Sequence, residues 1–163
     1  MVDHFTDLTY VNPMRSTNQE ETLAGKASFE RKDFTCEVKI KMYHTYNGIF
    51  SEKSFRSTIE DAKHTIKFCR VGSHHKNVIV EKNQTLTLGA RTLILHAKKN
   101  WPDAITKMLW PYALKDSSEQ LNVIKVDGYG ITTMENFVGT TIDITFKNHH
   151  TWGCPIHILY ALL

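Results

Sequence analysis

The sequence has little that would tie it to a membrane or to a secretory route. Its 163 residues contain no apolar run near the roughly 18–20 residues that a membrane-spanning helix needs. The first residues lack the basic and apolar segments of a signal peptide. Only three cysteines are present, Cys36, Cys69 and Cys154, and their wide spacing favours reduced thiols over a disulfide framework. We therefore expect an intracellular protein of the cytoplasm or nucleus that is neither secreted nor bound to a membrane.

Internal repeats and low-complexity linkers are also absent. The composition is that of an ordinary globular protein, with 41% hydrophobic and 23% charged residues, and a chain of this length can bury a core as one domain. Strand-like segments alternate with helix-like segments, which indicates a layered α/β domain. We predict a single domain over 1–163, with a core over about 1–100 and a helical and irregular C-terminal extension over about 103–163.

Periodicity and turn signals predict the individual elements. Strand-like segments cover Leu8–Met14, Cys36–Tyr43 and Thr65–Val71. The predicted helices run from capping boxes at Ser16 and Thr17 to about Lys32, from about Glu52 to Lys63, from about Val78 to Lys99, and from about Asp103 onward, where Pro111 should kink or split the helix.

Positive charge is concentrated in one part of the chain. The formal net charge is only +3, but residues 63–82, which we call the basic segment, contain five lysines and arginines, three histidines and one acid, Glu81. Such a cluster could neutralise phosphates. The alternative is a solvated surface that happens to lack acids.

A polar, His-rich loop from Gly72 to Asn77 leads into the longest predicted helix, which carries Glu81 in its first turns. The alternative for Glu81 is an ordinary helix N-terminal acid that the helix dipole stabilises. His149, His150 and Cys154 offer a weak alternative zinc site, because four ligands are expected and no Cys-x-x-Cys accompanies them. Cys69 lies beside Arg70, but no paired His or Asp motif supports a thiol nucleophile.

Several different short motifs follow one another along nearly the whole chain. In the loop and long helix they are His75, Asn77, Glu81, Asn83, Thr85, Leu86, Ala90 and Arg91. Downstream they are Leu109-Trp110, Ala113, Asn122, Thr132, Glu135, Phe137, Gly139 and Gly153-Cys154. In this order and spacing they resemble the catalytic core of retroviral-type integrases, in particular those of Copia-type retrotransposons. The segment from Val2 to Val11 resembles the second strand of that core.

The resemblance implies an RNase H-like fold, a mixed sheet flanked by helices, and an ancestral role in DNA integration by strand transfer. It implies Mg²⁺ as cofactor, with Glu81 as catalytic residue and metal ligand, because two-metal chemistry on DNA needs several carboxylates. It implies DNA as a partner that is bound weakly and without sequence preference, and a possible homodimer. The candidate DNA contacts are Lys63, Lys67, Arg70, His74, His75, Lys76, Asn77 and Lys82.

The sequence departs from the family at the other two acids. Tyr46 occupies the position of the second Asp, and a phenol is neutral at pH 7. The first Asp belongs to a strand that precedes Val2 in the family, and Asp3 matches a different position. We therefore expect a truncated and degenerate core that lacks its first, central strand, binds Mg²⁺ unproductively and is catalytically inactive, a pseudoenzyme. The alternatives are a non-enzymatic nucleic-acid-binding or interaction module derived from a retroelement, and an active enzyme with a compensating carboxylate near Glu81.

Overall fold

Helices make up most of the regular structure in the computed structural model, which describes residues 1–69, 78–143 and 150–156. In chain order the elements are α1 (Gln19–Thr35), β1 (Met42–Thr45), α2 (Lys53–Asp61), β2 (Thr65–Phe68), α3 (Val78–Asn100), α4 (Trp110–Ile124) and α5 (Thr133–Val138), with short 3₁₀ turns at Ile49–Ser51 and Lys107–Leu109. Within these described ranges, no helix is both long enough and apolar enough to span a membrane.

The two strands form a parallel pair joined by α2. Met42 pairs with Thr65 and His44 with Lys67. Side chains alternate along both strands, as the pleat requires: one face is half-buried, and the other exposes His44 and Lys67. The predicted helix over Glu52–Lys63 and the first part of the predicted strand at Thr65 are confirmed.

The N-terminal residues form a short antiparallel hairpin rather than the predicted strand over Leu8–Met14. Val2 and Thr9 make a single bridge, and Tyr10 N–H donates to the Met1 carbonyl at 2.8 Å. The turn of this hairpin holds Asp7 at φ 69°. The predicted strand is wrong beyond the bridge, because the pairing segment is only a few residues long and Pro13 has no N–H for a ladder.

Helix α1 begins and ends later than the sequence predicts. Its N-cap is Asn18, whose side chain accepts from Glu21 N–H at 2.9 Å, so the capping boxes at Ser16 and Thr17 are wrong. The predicted strand from Cys36 is also wrong up to Lys41. Cys36 N–H donates to the Lys32 and Asp33 carbonyls, as in a helix C-terminus, and Glu37 has φ 59°, which turns the chain away from an extended path.

Helix α3 covers the predicted range and packs against α4. Leu86, Ala90 and Ala97 are buried along its inner stripe, as an apolar repeat at helical spacing predicts. The helix predicted from Asp103 begins only at Trp110, with Pro111 in its first turn. Pro is favourable there because the first N–H groups of a helix have no intrahelical acceptor.

Buried polar contacts fix the hairpin against α4. Thr9 N–H donates to Asn122 Oδ1 at 2.9 Å, and Asn122 Nδ2 donates back to the Thr9 carbonyl at 2.8 Å. Ser118 Oγ donates to the same carbonyl at 2.8 Å. On its other side the hairpin contributes Leu8 to a core cluster with Phe29 of α1 and Phe137 of α5. The turn that carries Asp7 is therefore held in place beside α3 and α4.

Candidate functional site

An open cleft lies where the hairpin turn, the first turns of α3 and the end of α4 meet. Its volume is about 260 Å³, and its lining side chains come from segments far apart in sequence: Asp7, Glu81, Lys82, Thr85, Leu121 and Lys125. The cleft contains Glu81 and Lys82, which the sequence predicts as site residues. It also contains Asp7 and Lys125, which the sequence does not predict.

Asp7 is the centre of a bridge between two ammonium groups, which we call the Lys82–Asp7–Lys125 bridge. Lys125 Nζ donates to Asp7 Oδ2 at 2.5 Å, and Lys82 Nζ donates to the same oxygen at 2.9 Å. The hydrogen bond from Lys125 is the main cause that lowers the pKa of Asp7, and Lys82 adds to it. The bond to Asp7 in turn raises the pKa of Lys125. Asp7 and Lys125 are therefore both charged at neutral pH.

The two lysines differ in how far they are withdrawn from solvent. The Lys82 side chain is 11% exposed and the Lys125 side chain 48% exposed. An ammonium group that is withdrawn from water needs an anionic partner, and Asp7 supplies it for Lys82. Lys125 keeps much of its surface in water and closes the cleft from the α4 side.

Glu81 lies in the first turn of α3 and is exposed. Its backbone carbonyl accepts from the Thr85 hydroxyl at 3.1 Å, and its side chain lines the cleft with Asp7. The cleft thus combines two carboxylates with two ammonium groups, and its formal charges cancel. A carboxylate at this place also suits the positive end of the helix dipole.

No carboxylate at the other acid positions of the expected site lies beside Glu81 in the described residues. Tyr46 directly follows β1 and is half-buried, and it is not a lining residue of the cleft. Asp3 accepts from Thr6 N–H at 2.7 Å and from the Thr6 hydroxyl at 2.6 Å, so its carboxylate serves the hairpin turn. Among the described residues, no group of three His, Cys, Asp or Glu side chains is assembled to hold a metal ion. This donor set does not fit the several carboxylates that two-metal chemistry needs.

The candidate DNA contacts are spread over two elements. Lys63 follows α2 with φ 57°, and Lys67 lies on the exposed face of β2. Both are exposed, while Lys82 is engaged with Asp7. Five further candidates lie outside the described residues: Arg70, His74, His75, Lys76 and Asn77. His149 of the alternative zinc site also lies outside them.

Asp7 and Lys125 could not be found from local sequence signals. Their contact joins residues 118 positions apart, and the contact of Asp7 with Lys82 spans 75 positions. Asp7 lies in a turn and Lys125 directly follows a helix, where charged residues are ordinary. Only the docking of the hairpin on α4 brings them together.

A second charged cluster surrounds Glu30 of α1. Lys26 Nζ and the Tyr43 hydroxyl both approach Glu30 Oε1 at 2.8 Å, and His64 Nδ1 lies 3.6 Å from it. Burial, followed by the hydrogen bond to Glu30, raises the pKa of Tyr43. This cluster joins α1 to β1 and to His64, the residue that precedes β2.

Comparison with known proteins supports the architecture. No protein-family model matches the sequence, and no curated protein matches it either. The structure is similar to the integrase catalytic core domain of HTLV-2, which was solved in complex with magnesium in a trimeric form, with a TM-score of 0.57 and 15% sequence identity over 82% of this chain and 79% of that chain.

The chain has the RNase H-like α/β fold of an integrase catalytic core. The fold class predicted from the sequence is thereby confirmed. At this identity the likeness concerns the fold alone, so the Copia-type origin and the loss of a first, central strand stay predictions. The HTLV-2 core was solved with magnesium, whereas the described cleft of this integrase-type fold has two lysines beside its carboxylates.

Proposed function

We propose that this integrase-type fold binds DNA weakly and without sequence preference, and that it does not catalyse strand transfer. The observation that carries the proposal is the Lys82–Asp7–Lys125 bridge beside Glu81. Two ammonium groups lie beside the carboxylates that a divalent cation would need as ligands, and they offset the negative charge. The cleft itself is balanced in charge, so the DNA contacts of this proposal come from exposed lysines outside it.

The electrostatics of the cleft argue against productive Mg²⁺ binding. Mg²⁺ binds through carboxylates and water, and two ions 3.5–4 Å apart need several anionic ligands. Among the described residues, no lysine pairs with Glu81, whereas Asp7 is already neutralised by Lys82 and Lys125. Tyr46, at the position that resembles the second Asp, offers a phenol instead of a carboxylate. Catalysis of phosphoryl transfer is therefore not expected.

Two exposed lysines offer the described part of a DNA surface. Lys63 and Lys67 have no acid between them in sequence, and both side chains are exposed. Contact of phosphates with such side chains releases counterions, and this supplies affinity without sequence preference. Lys82 is engaged in the ion pair with Asp7. The proposal also includes DNA contacts from Arg70, His74, His75, Lys76 and Asn77.

The test is fluorescence anisotropy of a labelled duplex as a function of salt. We expect log affinity to fall linearly with log salt, and Lys63→Glu with Lys67→Glu to reduce the steepness by about 1.8, since each phosphate contact contributes about 0.9. The matched control is Lys98→Glu with Lys99→Glu, two exposed lysines in the last turn of α3. Equal loss of affinity in both double variants would refute the surface around Lys63 and Lys67.

A second candidate function is metal-dependent DNA nicking, which the shared cleft of Asp7 and Glu81 favours. In that case Asp7 would be the compensating carboxylate near Glu81, and Mg²⁺ or Mn²⁺ would have to displace the lysines. The assay is conversion of supercoiled plasmid to nicked circles with either metal. Nicking that disappears in Glu81→Gln would overturn the proposed inactivity, and absence of nicking would remove this candidate.

We further propose that the chain derives from a Copia-type retroelement and can form a homodimer. The order of the motifs around Glu81 and from Thr132 to Gly139 supports the origin, and the integrase-type fold is compatible with it. Light scattering on the purified chain tests the dimer. A monomer mass over the full accessible concentration range would contradict it.

A further inference from the structure

The inner face of α1 buries a carboxylate where the helix packs against the N-terminal hairpin. Asp33 lies one helical turn after Phe29, which packs on Leu8 of the hairpin, and residues four apart lie on the same face of a helix. Asp33 is only 2% exposed, and neither of its carboxylate oxygens has a hydrogen-bond partner among the described residues. Burial in this form opposes a charged carboxylate far more than a protonated one. The contact between α1 and the hairpin therefore suits the protonated side chain.

The groups that act electrostatically on Asp33 come from three elements. The carboxylate of Asp3 acts from the hairpin and Glu30 acts from α1, while Lys32 of α1 opposes them. On β1, the Tyr43 hydroxyl donates to Glu30, and the charge of Asp33 contributes to the raised pKa of Tyr43. Burial, followed by the charge of Asp3, raises the pKa of Asp33 to about 6. Ionisation of Asp33 thus adds a negative charge to a buried place that two other acids already face.

Other titratable groups on the packed elements have contacts of their own. Lys26 of α1 and His64 before β2 lie beside Glu30. The Tyr10 hydroxyl of the hairpin shares a hydrogen bond with the Ser28 hydroxyl. Glu135 of α5 accepts from its own N-cap, and Cys36 lies half-buried against the same core cluster. Asp33 differs from these groups in that it is buried without a hydrogen-bond partner among the described residues.

The hairpin that packs on α1 also carries Asp7 of the cleft. Asp7 N–H donates to the Asp3 carbonyl at 2.9 Å, so both carboxylates belong to one turn. Among the described residues the hairpin makes a single β-bridge, and an element with so few backbone pairs can open locally without unfolding the rest of the chain. We propose that this contact is a proton-sensitive switch, in which ionisation of Asp33 loosens the hairpin from α1 and withdraws Asp7 from Lys82 and Lys125.

The direction of the switch follows from where the proton binds. The packed state holds the Asp33 proton up to about pH 6, whereas in a loosened state the side chain ionises near its ordinary pKa of 3.8. The loosened state should therefore become more populated as the pH rises from 4 to 7, and its population should then level off. Because each unit of pKa difference corresponds to a tenfold change, we expect a rise of at least about tenfold between pH 4.5 and pH 7. The switch does not depend on DNA binding.

Native-state hydrogen exchange of the full chain tests whether the hairpin opens by itself. The protection of the Asp3 and Tyr10 N–H groups, which donate within the hairpin, is measured from pH 4.5 to pH 7 and corrected for the intrinsic effect of pH on exchange. We expect it to fall by at least about tenfold. It should also be nearly insensitive to low urea, because local opening exposes little surface, whereas the protection of α3 amides should fall with urea.

Lysine acetylation at pH 7 tests the link to the cleft. Labelling of Lys82 is measured relative to Lys98, an exposed lysine in the last turn of α3, by peptide mass in the same sample. Asp33→Asn, which stays neutral, should lower this ratio by at least about tenfold and remove the pH dependence of hairpin exchange. The control Asp61→Asn changes an exposed acid of α2 and should leave both unchanged.

Three results would each overturn the switch. The first is hairpin exchange with the same protection and urea dependence as α3, which would mean that the hairpin opens only by global unfolding. The second is hairpin protection that does not change with pH in the unaltered chain, a result that needs no variant to fold. The third is equal labelling of Lys82 in the wild-type chain and in Asp33→Asn.

Discussion

At the residue scale, the buried environment of Asp33 is unfavourable for a charged carboxylate. It lies on α1 and is only 2% exposed, and neither carboxylate oxygen has a hydrogen-bond partner among the described residues. Burial is the main cause that raises its pKa to about 6, and the nearby charge of Asp3 adds to it. A buried charge without a partner opposes folding, so the folded state favours the protonated form of this side chain.

We predict that Asp33→Asn stabilises the chain above pH 7 and removes a pH-dependent component of its stability. The folded-state pKa of about 6 lies above the ordinary value of 3.8, so the folded state holds a proton that the unfolded state loses. Stability of the wild-type chain should fall as pH rises from 4 to 7. At 1.36 kcal/mol per pKa unit, the difference is at most about 3 kcal/mol. Urea denaturation at several pH values from 4 to 8 measures it.

The control for this prediction is Asp61→Asn, an exposed acid at the end of α2. Its stability should follow the wild-type pH profile. Parallel profiles for Asp33→Asn and the wild-type chain would show that Asp33 is not the titrating group.

At the element scale, local patterns predict α2 and α3 well and the strand from Cys36 poorly. The apolar stripe of Leu86, Ala90 and Ala97 is complete within one segment, so α3 is predicted with nearly its observed bounds. Alternation from Cys36 predicts a strand, but the carbonyls at the end of α1 capture the Cys36 and Val38 N–H groups instead. Strand pairing depends on distant partners, and local alternation carries no information about them.

The same limit applies to the site. Glu81 is found from its motif and Lys82 from the basic segment, whereas Asp7 and Lys125 require the docking of the hairpin by Asn122 and Ser118. Sequence reasoning therefore reaches only the part of the cleft that lies on one element.

Gly153 packs the 150–156 segment against α3, and this contact predicts the effect of adding a methyl group. A Cβ at Gly153 would lie 2.9 Å from the Ala97 Cβ and 3.1 Å from Ile105 Cδ1, and φ there is +79°. We predict that Gly153→Ala destabilises the chain by more than the roughly 1–2 kcal/mol of left-handed backbone strain. Thermal unfolding gives the difference.

Gly130→Ala is the matched control, because Gly130 has the same φ of +79° and nothing within 4 Å of its added Cβ. It should show the backbone strain alone. If the two variants lose equal stability, the contact of Gly153 with α3 contributes nothing to the fold.

At the scale of the whole molecule, the residues that stabilise the fold differ from the residues that set the charge of the cleft. The chain has the architecture of an integrase core, held by the packing of α3 on α4 and by the buried hydrogen bonds of the hairpin. The cleft within that architecture contains balanced charges, with Lys82 and Lys125 against Asp7 and Glu81. A fold can persist while its site changes, because packing and site electrostatics depend on different residues.

This separation predicts how the stability of the whole chain responds to Mg²⁺. Stability should not change in 10 mM Mg²⁺ for the wild-type chain, because the lysines already neutralise the cleft. Lys82→Met with Lys125→Met keeps the apolar stems and exposes the two carboxylates to the cation. A site with a Kd of about 1 mM would then add about 1.4 kcal/mol and raise the Tm by about 3–6 °C. Lys98→Met with Lys99→Met controls for general charge removal. A Mg²⁺-dependent rise in the wild-type chain would mean that the Lys82–Asp7–Lys125 bridge opens to admit the ion.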